Sequence, residues 1–232
     1  MGIGLWRLTR LPGGRPRWRD ALVGLTVILL WMTLDWPVGP LGAGYLLWVH
    51  SAQFILLAMV IPPVLLLGLG DDGARRLCRR PDWAAAIRIA TDPLPGILLF
   101  AAVMIVTHLP NVVDGLMKQQ LGAFALDAAW LVSGVLFWWP IVLTEPARPK
   151  FVPLLQMVYL FFGTQPHLYI AMWLLLGDFP KYATYELAPR MSSLSALQDQ
   201  AVAGGLMLSL TLPIVFGVLT VIAIRWVRRE PA

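Results

Sequence analysis

The chain has 232 residues, 58% of them hydrophobic and 13% charged, with a net charge of +5 at neutral pH. Soluble domains carry about 25% charged residues, so this composition excludes a water-soluble globular fold and points to a membrane protein. The positive charge calls for no nucleic-acid partner, because its placement along the chain accounts for it.

A bilayer core of roughly 30 Å takes about 20 apolar residues per helix. In chain order, six stretches meet that requirement: 21–37, 45–68, 93–109, 121–143, 152–176 and 201–226. The expected fold is all-α, a polytopic membrane helix bundle of about six transmembrane helices. It forms a single integral-membrane helical domain over 1–232, with 1–20 as a basic cytoplasmic tail. That tail holds Arg7, Arg10, Arg15, Arg17 and Arg19, and the connection 69–92 holds Arg75, Arg76, Arg79, Arg80 and Arg88. Arg148 and Lys150 lie in 144–151, and Arg225, Arg228 and Arg229 follow at the end. The alternate connections hold only Lys118, Lys181 and Arg190. By the positive-inside rule this asymmetry places both termini in the cytoplasm. The first stretch resembles a signal peptide, but it runs into Trp36-Pro37 without a small-x-small cleavage site and is read as an uncleaved span. Cys78 is the single cysteine, so it forms no internal disulfide and is weak support for a metal site.

With orientation assigned, each polar residue acquires a depth at about 1.5 Å per residue. His50, His108, Asp127 and His167 all fall in the outer half, on four different stretches. Asp199 and Gln200 sit at the outer mouth of the sixth, with Met207 about one and a half turns deeper. Ionisable residues within a bilayer are costly and usually face a bundle interior or a watery cavity. One cavity open to the outside and lined by these four residues is therefore expected. The plainer alternative is that each histidine hydrogen-bonds a neighbouring helix and each methionine packs in the core. Met104 and His108 share a helical face, as do Gln200, Ala203, Gly204 and Met207, whose small residues make a groove for a close neighbour. Thioether and imidazole together suit copper, Cu(I) especially. Pro166, just before His167, frees the carbonyl of Phe162 and kinks its helix. No phosphate-binding Gly-rich loop, His-Glu-x-x-His or Gly-x-Ser-x-Gly occurs, so nothing points to an enzyme.

The segment DQAVAGGLM, with Asp199, Gln200, Gly204 and Met207, resembles the Asp-Gln-Gln-x-Ala/Gly-Gly-x-x-Met signature of the CtaG family of polytopic bacterial cytochrome c oxidase assembly factors. WVHSAQFILLAMVIPPVLLLG, THLP, GVLFWWPIV and KYATYELAPRMSSLSALQDQ resemble further elements of that family in the same order. His50 and Gln53 match its first histidine and glutamine, but Phe54 stands where its second histidine would be. Ala123, Leu126 and Asp127 stand where the family tends to carry His-x-x-Glu-His. The chain thus resembles a shortened, divergent member. The resemblance implies a multi-pass protein of the bacterial inner (plasma) membrane, partnered by cytochrome c oxidase subunits and the lipid bilayer. Its expected work is oxidase assembly, with copper handled or positioned at an outward-facing intramembrane site. The expected metal set is His50, His108, Asp127, His167, Met104 and Met207, with Gln53, Asp199, Gln200 and Gly204 as motif or structural residues. The alternatives are a non-metal helical scaffold, chaperone or accessory protein of the oxidase, a haem-binding membrane protein with two axial histidines, or a transporter built on proline-broken helices.

Overall fold

The computed structural model describes residues 16–144 and 152–228, all helix and connection with no strand among them. Arg7, Arg10, Arg15, Arg148, Lys150 and Arg229, part of the basic asymmetry, lie outside the described residues. Proline opens many of the helices, where its missing N–H costs nothing. The chain runs α1 (Arg17–Leu34), α2 (Val38–Gly44), α3 (Leu47–Leu77), α4 (Pro81–Ala90), α5 (Pro93–Thr107) and α6 (Pro110–Leu116). It continues through α7 (Gln120–Val142), α8 (Pro153–Gly163), α9 (Gln165–Leu175), α10 (Ala183–Glu186) and α11 (Ala196–Val227).

By length and hydropathy, α3, α7 and α11 are each sufficient to cross a membrane. The count rises to five if the bent pairs α1–α2 (43°) and α4–α5 (77°) are each one span. The stretch 152–176 is two helices of 11 residues each, α8 and α9, meeting at Thr164. Neither alone has the roughly 20 residues a span requires. Large apolar side chains such as Trp31, Phe124, Phe161 and Phe216 are exposed around the bundle, as lipid-facing positions are.

Two local devices shape α3. Pro62 has no N–H to give to the carbonyl of Ala58, four residues back, and this region winds into a π-turn over Leu56–Val60. The indole Nε1 of Trp138 donates to that carbonyl at 3.2 Å. Helix α7 comes this close because position 134 is glycine: a Cβ there would lie 2.6 Å from the Ala58 oxygen. Farther on, Gly70 adopts φ +60°, which only glycine takes without strain, and interrupts the helix beside the Arg19 guanidinium. Just beyond, Asp71 accepts from the Thr144 amide (2.8 Å) and hydroxyl (2.7 Å), tying the end of α3 to the end of α7.

Around α3 the other helices take fixed places. α11 packs against α9 and the first part of α3, α1 against the last part of α3, and α7 against both α3 and α5. Deep in the α5–α7–α8 layer, Phe100, Phe137 and Tyr159 stack at 4.3 and 4.9 Å. The Tyr159 hydroxyl donates to the Phe137 carbonyl at 2.9 Å. Loss of that hydroxyl leaves a buried carbonyl short of a partner. Tyr159→Phe is expected to lower stability by about 1 kcal/mol, readable as a modest drop in the thermal aggregation midpoint of detergent-purified protein.

Candidate functional site: a covered histidine cluster

Two helices and one helix end bring the three histidines of the chain together. His50 comes from the first turn of α3, His108 from the end of α5 and His167 from the first turn of α9. At their centre is Phe54, one turn beyond His50 and fully buried. Its ring lies 4.7 Å from that of His108, edge-on, and 5.0 Å from that of His167, stacked. Trp130 of α7 completes the group, 4.9 Å from His50 and 5.3 Å from Phe54. The Trp130 indole donates to Thr107 Oγ1 at 2.9 Å, which fixes the ring's position.

The imidazoles are buried, and each keeps one ring nitrogen without a hydrogen-bond partner among the described residues: Nδ1 of His50, Nε2 of His108 and Nδ1 of His167. His108 Nδ1 lies 2.7 Å from the Met104 carbonyl. A carbonyl only accepts, so Nδ1 carries the proton, and in the neutral ring Nε2 is left with its lone pair. Met104 therefore holds His108 through its backbone oxygen. His167 Nε2 and Thr211 Oγ1 share a hydrogen bond of 2.6 Å across α9 and α11.

The cluster is closed over at the end of the bundle where α11 begins. The connection between α9 and α11 places Tyr182 and Tyr185 over it, both buried. Tyr182 donates to the His108 carbonyl (2.9 Å) and Tyr185 to the Gly42 carbonyl (2.6 Å). Tyr185 also lies 5.6 Å from the His50 ring. Asp114 anchors this cover by accepting from the Thr184 amide (2.9 Å), the Thr184 hydroxyl (2.8 Å) and the Ala183 amide (3.2 Å). Burial is the main cause holding both phenols above their ordinary range, reinforced by the Asp114 carboxylate beside Tyr182. A tyrosine in water ionises near pH ~10. Because the folded values are raised, these two contribute stability that is full below about pH 10 and is lost as pH rises above it. In an alkaline ultraviolet titration their ionisation is expected to coincide with loss of tertiary structure. Ionisation of Tyr182 and Tyr185 near pH ~10, with the fold intact, would count against the cover.

Asp199 and Gln200 have separate tasks, both in the first turns of α11 and both buried. Helix α3 begins at Leu47 with no side-chain cap of its own. The Asp199 carboxylate supplies one from 152 residues away, accepting from the amides of Leu47 (2.8 Å) and Trp48 (3.2 Å). It satisfies two orphan donors and sets a negative charge at the positive end of the helix. Gln200 clasps the segment leaving α9: its Oε1 accepts from the Lys181 amide (2.7 Å), and its Nε2 donates to the carbonyls of Leu174 (3.2 Å) and Phe179 (3.3 Å). One turn on, a Cβ at Gly204 would sit 2.5 Å from the Ala171 oxygen and 2.6 Å from the Leu175 nitrogen. Met207, a turn deeper, is fully buried and lines a groove beside His167.

The expected convergence of His50, His108 and His167 is present, but around a phenyl ring and beneath a cover. Among the described residues the three imidazoles are buried, at 1–5% exposure, and do not line an open outward cavity. Asp127 does not join the imidazoles: it is half-buried and accepts from Gln53 Nε2 at 3.2 Å, linking α7 to α3. Among the described residues no three His, Cys, Asp or Glu side chains form a group that could hold a metal ion. Residue-by-residue reading missed Trp130, Thr211, Asp114 and the covering role of Tyr182 and Tyr185. The Tyr-x-x-Tyr spacing was the available signal for the last pair.

Long apolar helices closed around a buried histidine–aromatic cluster define an integral-membrane helical protein. The chain belongs to the cytochrome c oxidase caa3 assembly factor family, CtaG, whose model matches residues 2–229. It is similar to uncharacterized proteins of Mycobacterium bovis and Mycobacterium tuberculosis, each 27% identical over 203 residues, covering 78% of this chain and 30% of the relative. A Mycobacterium leprae protein, also uncharacterized, is 22% identical over 264 residues, covering 92% of this chain and 40% of its own length. The chain thus spans less than half the length of these curated relatives. No solved structure matches it.

Proposed function

We propose that this chain serves oxidase assembly as a non-catalytic helical scaffold of the bacterial plasma membrane, packing against oxidase subunits within the bilayer. The observation that supports this reading is Phe54. Its ring occupies the space among the imidazoles that an ion would need, so the residues present do not make a complete copper site. In this reading the histidines, Trp130 and the tyrosine cover form a rigid outer core that holds α3, α5, α7, α9 and α11 in register. The proposed topology has six spans, with α8 and α9 together forming a broken fifth, both termini cytoplasmic and the tyrosine cover outside. Reporter fusions after Arg80 are expected to read cytoplasmic and fusions near Ala188 to read external; the reverse result overturns this topology.

A second reading, copper handling, is favoured by the three buried ring nitrogens without hydrogen-bond partners among the described residues, and by the lone pair on His108 Nε2. A bound ion would draw its ligands from these imidazoles and supply a soft Lewis-acid centre. One pair of measurements separates the readings. Purified parent protein is expected to carry neither stoichiometric copper nor a Soret band. Phe54→His, which puts another imidazole between His108 and His167, is expected to gain about one Cu(I) per chain, since adjacent imidazoles suit copper. Stoichiometric copper in the parent, abolished by His108→Ala, would replace the scaffold reading with the copper one.

A further inference from the structure

Arg19 is held in place without a counter-ion among the described residues. It lies in the first turn of α1, and its guanidinium packs on the backbone at Gly70, where a Cβ would stand 2.5 Å from Nη1 and 2.7 Å from Cζ. Glycine at φ +60° leaves that space, and a side chain would fill it. The Arg19 side chain is half-buried, and its Nε is buried with no hydrogen-bond partner among the described residues. No carboxylate there forms an ion pair with it: Asp71 holds Thr144, Asp72 pairs with Arg75, and Asp20 is exposed beside it in α1. Basic residues that set topology need only their charge, on a stem free to reach water. A pinned guanidinium, stripped of part of its hydration, calls for an anion from outside the chain.

The surroundings of the guanidinium select that anion. The exposed Trp18 ring lies 5.3 Å from Arg19 Cζ. Tryptophan and arginine at the start of an apolar helix mark the level of lipid headgroups. From Trp18 an exposed apolar stripe descends α1 through Leu25, Ile28 and Met32, whose spacing puts them on one face. The stripe is about 21 Å long at 1.5 Å per residue, against about 15 Å for half of a bilayer core. A hydrocarbon chain anchored at Arg19 would lie on it through its whole leaflet, whereas a free phosphate would leave it unused. Arg17, exposed one residue from Trp18, joins Arg19 in outweighing Asp20, which favours a net negative head over a zwitterionic one.

We propose that Arg19 binds the phosphate of one anionic phospholipid, its two Nη groups donating to two phosphate oxygens and an acyl chain lying along Leu25, Ile28 and Met32. The planar fork of a guanidinium matches phosphate in this bidentate way, and an ammonium does not. The test is native mass spectrometry of the full chain released from nanodiscs of phosphatidylglycerol and phosphatidylcholine in equal parts. One phosphatidylglycerol per chain is expected to survive release. Arg19→Gln is expected to weaken its retention about tenfold, the effect of one charge-assisted contact, and Arg19→Lys to weaken it nearly as much. Arg88→Gln, which removes an exposed charge from α4, is expected to leave retention unchanged. Equal loss in Arg88→Gln, full retention in either Arg19 variant, equal retention of phosphatidylcholine, or displacement of the lipid by inorganic phosphate overturns the proposal. If Arg19→Gln does not fold, the parent chain decides the matter. Phosphatidylglycerol with a photoreactive acyl chain is expected to label Leu25, Ile28 and Met32 in preference to Leu98 and Ile105, likewise exposed on α5. The same probe on phosphatidylcholine is expected to show no such preference; even labelling by both lipids overturns the proposal.

Discussion

Gly204→Leu is expected to prevent accumulation of the folded protein. The carbonyl of Ala171 and the backbone of Leu175 lie within 3.0 Å of where its Cβ would stand, and backbone cannot swing aside as a side-chain tip can. Accommodating a leucine would push α9 away from α11, breaking the His167–Thr211 bond and the Gln200 clasp together. Overpacking alone costs about 1–3 kcal/mol, and the unpaired polar groups add to it. Size-exclusion traces of a fluorescent fusion should show aggregate in place of the monodisperse peak. Gly205→Leu is the control. A Cβ there meets nothing closer than Leu175 Cδ1 at 3.9 Å, so near-parental behaviour is expected. Equal behaviour of the two variants would mean that the close approach of α9 and α11 is not at Gly204.

Asp199→Ala is expected to have the next largest effect. It strips α3 of its cap and leaves the Leu47 and Trp48 amides without an acceptor, with the Leu47 bond fully buried. Each abandoned buried donor costs about 1–3 kcal/mol, so roughly 3 kcal/mol in total is expected after allowing for relief of the buried charge. The frayed turn is the one that carries His50, so the damage should be local as well as global. Hydrogen exchange should rise sharply at residues 47–51 while the α5–α7–α8 layer around Phe137 stays protected. Asp199→Asn keeps one acceptor oxygen and should fall between. Unchanged exchange at the start of α3 in the alanine variant would show that the cap is dispensable.

Much of this architecture could be read from residues because it follows from local chemistry. Runs of apolar residues mark α3, α7 and α11 whatever their neighbours. Gly204 could be identified as a contact because Gln200, Ala203, Gly204 and Met207 must share a face. Co-location of His50, His108 and His167 followed from depth alone. The features that escaped are those decided by distant partners. Depth says that three imidazoles are level, but it does not say that Phe54 stands between them. Asp127 looked like a fourth member because it is equally deep, yet the nearby Gln53 amide claims it. Asp199 looked like a residue at a watery mouth, since nothing near it in sequence reveals that its acceptors are needed 152 residues upstream. The division of 152–176 into α8 and α9 was half visible in Pro166, though the turn itself falls at Thr164.

The dependence of α3 on Asp199 also bears on how the protein is made. A chain threaded into the bilayer from its N-terminal side presents α3 long before α11. Until α11 arrives, the amides of Leu47 and Trp48 have no acceptor and must remain near the hydrated interface, since lipid offers none. The histidine end of the bundle is therefore completed only on insertion of α11, whereas the Phe100–Phe137–Tyr159 stack is made by side chains of α5, α7 and α8, all inserted earlier. Ribosome-stalled chains ending before Ala196 should have a protease-resistant α5–α7–α8 layer and a cleavable start to α3. Surveillance proteases would thus meet unfinished molecules at one end first, and insertion of α11 would mark the molecule as finished.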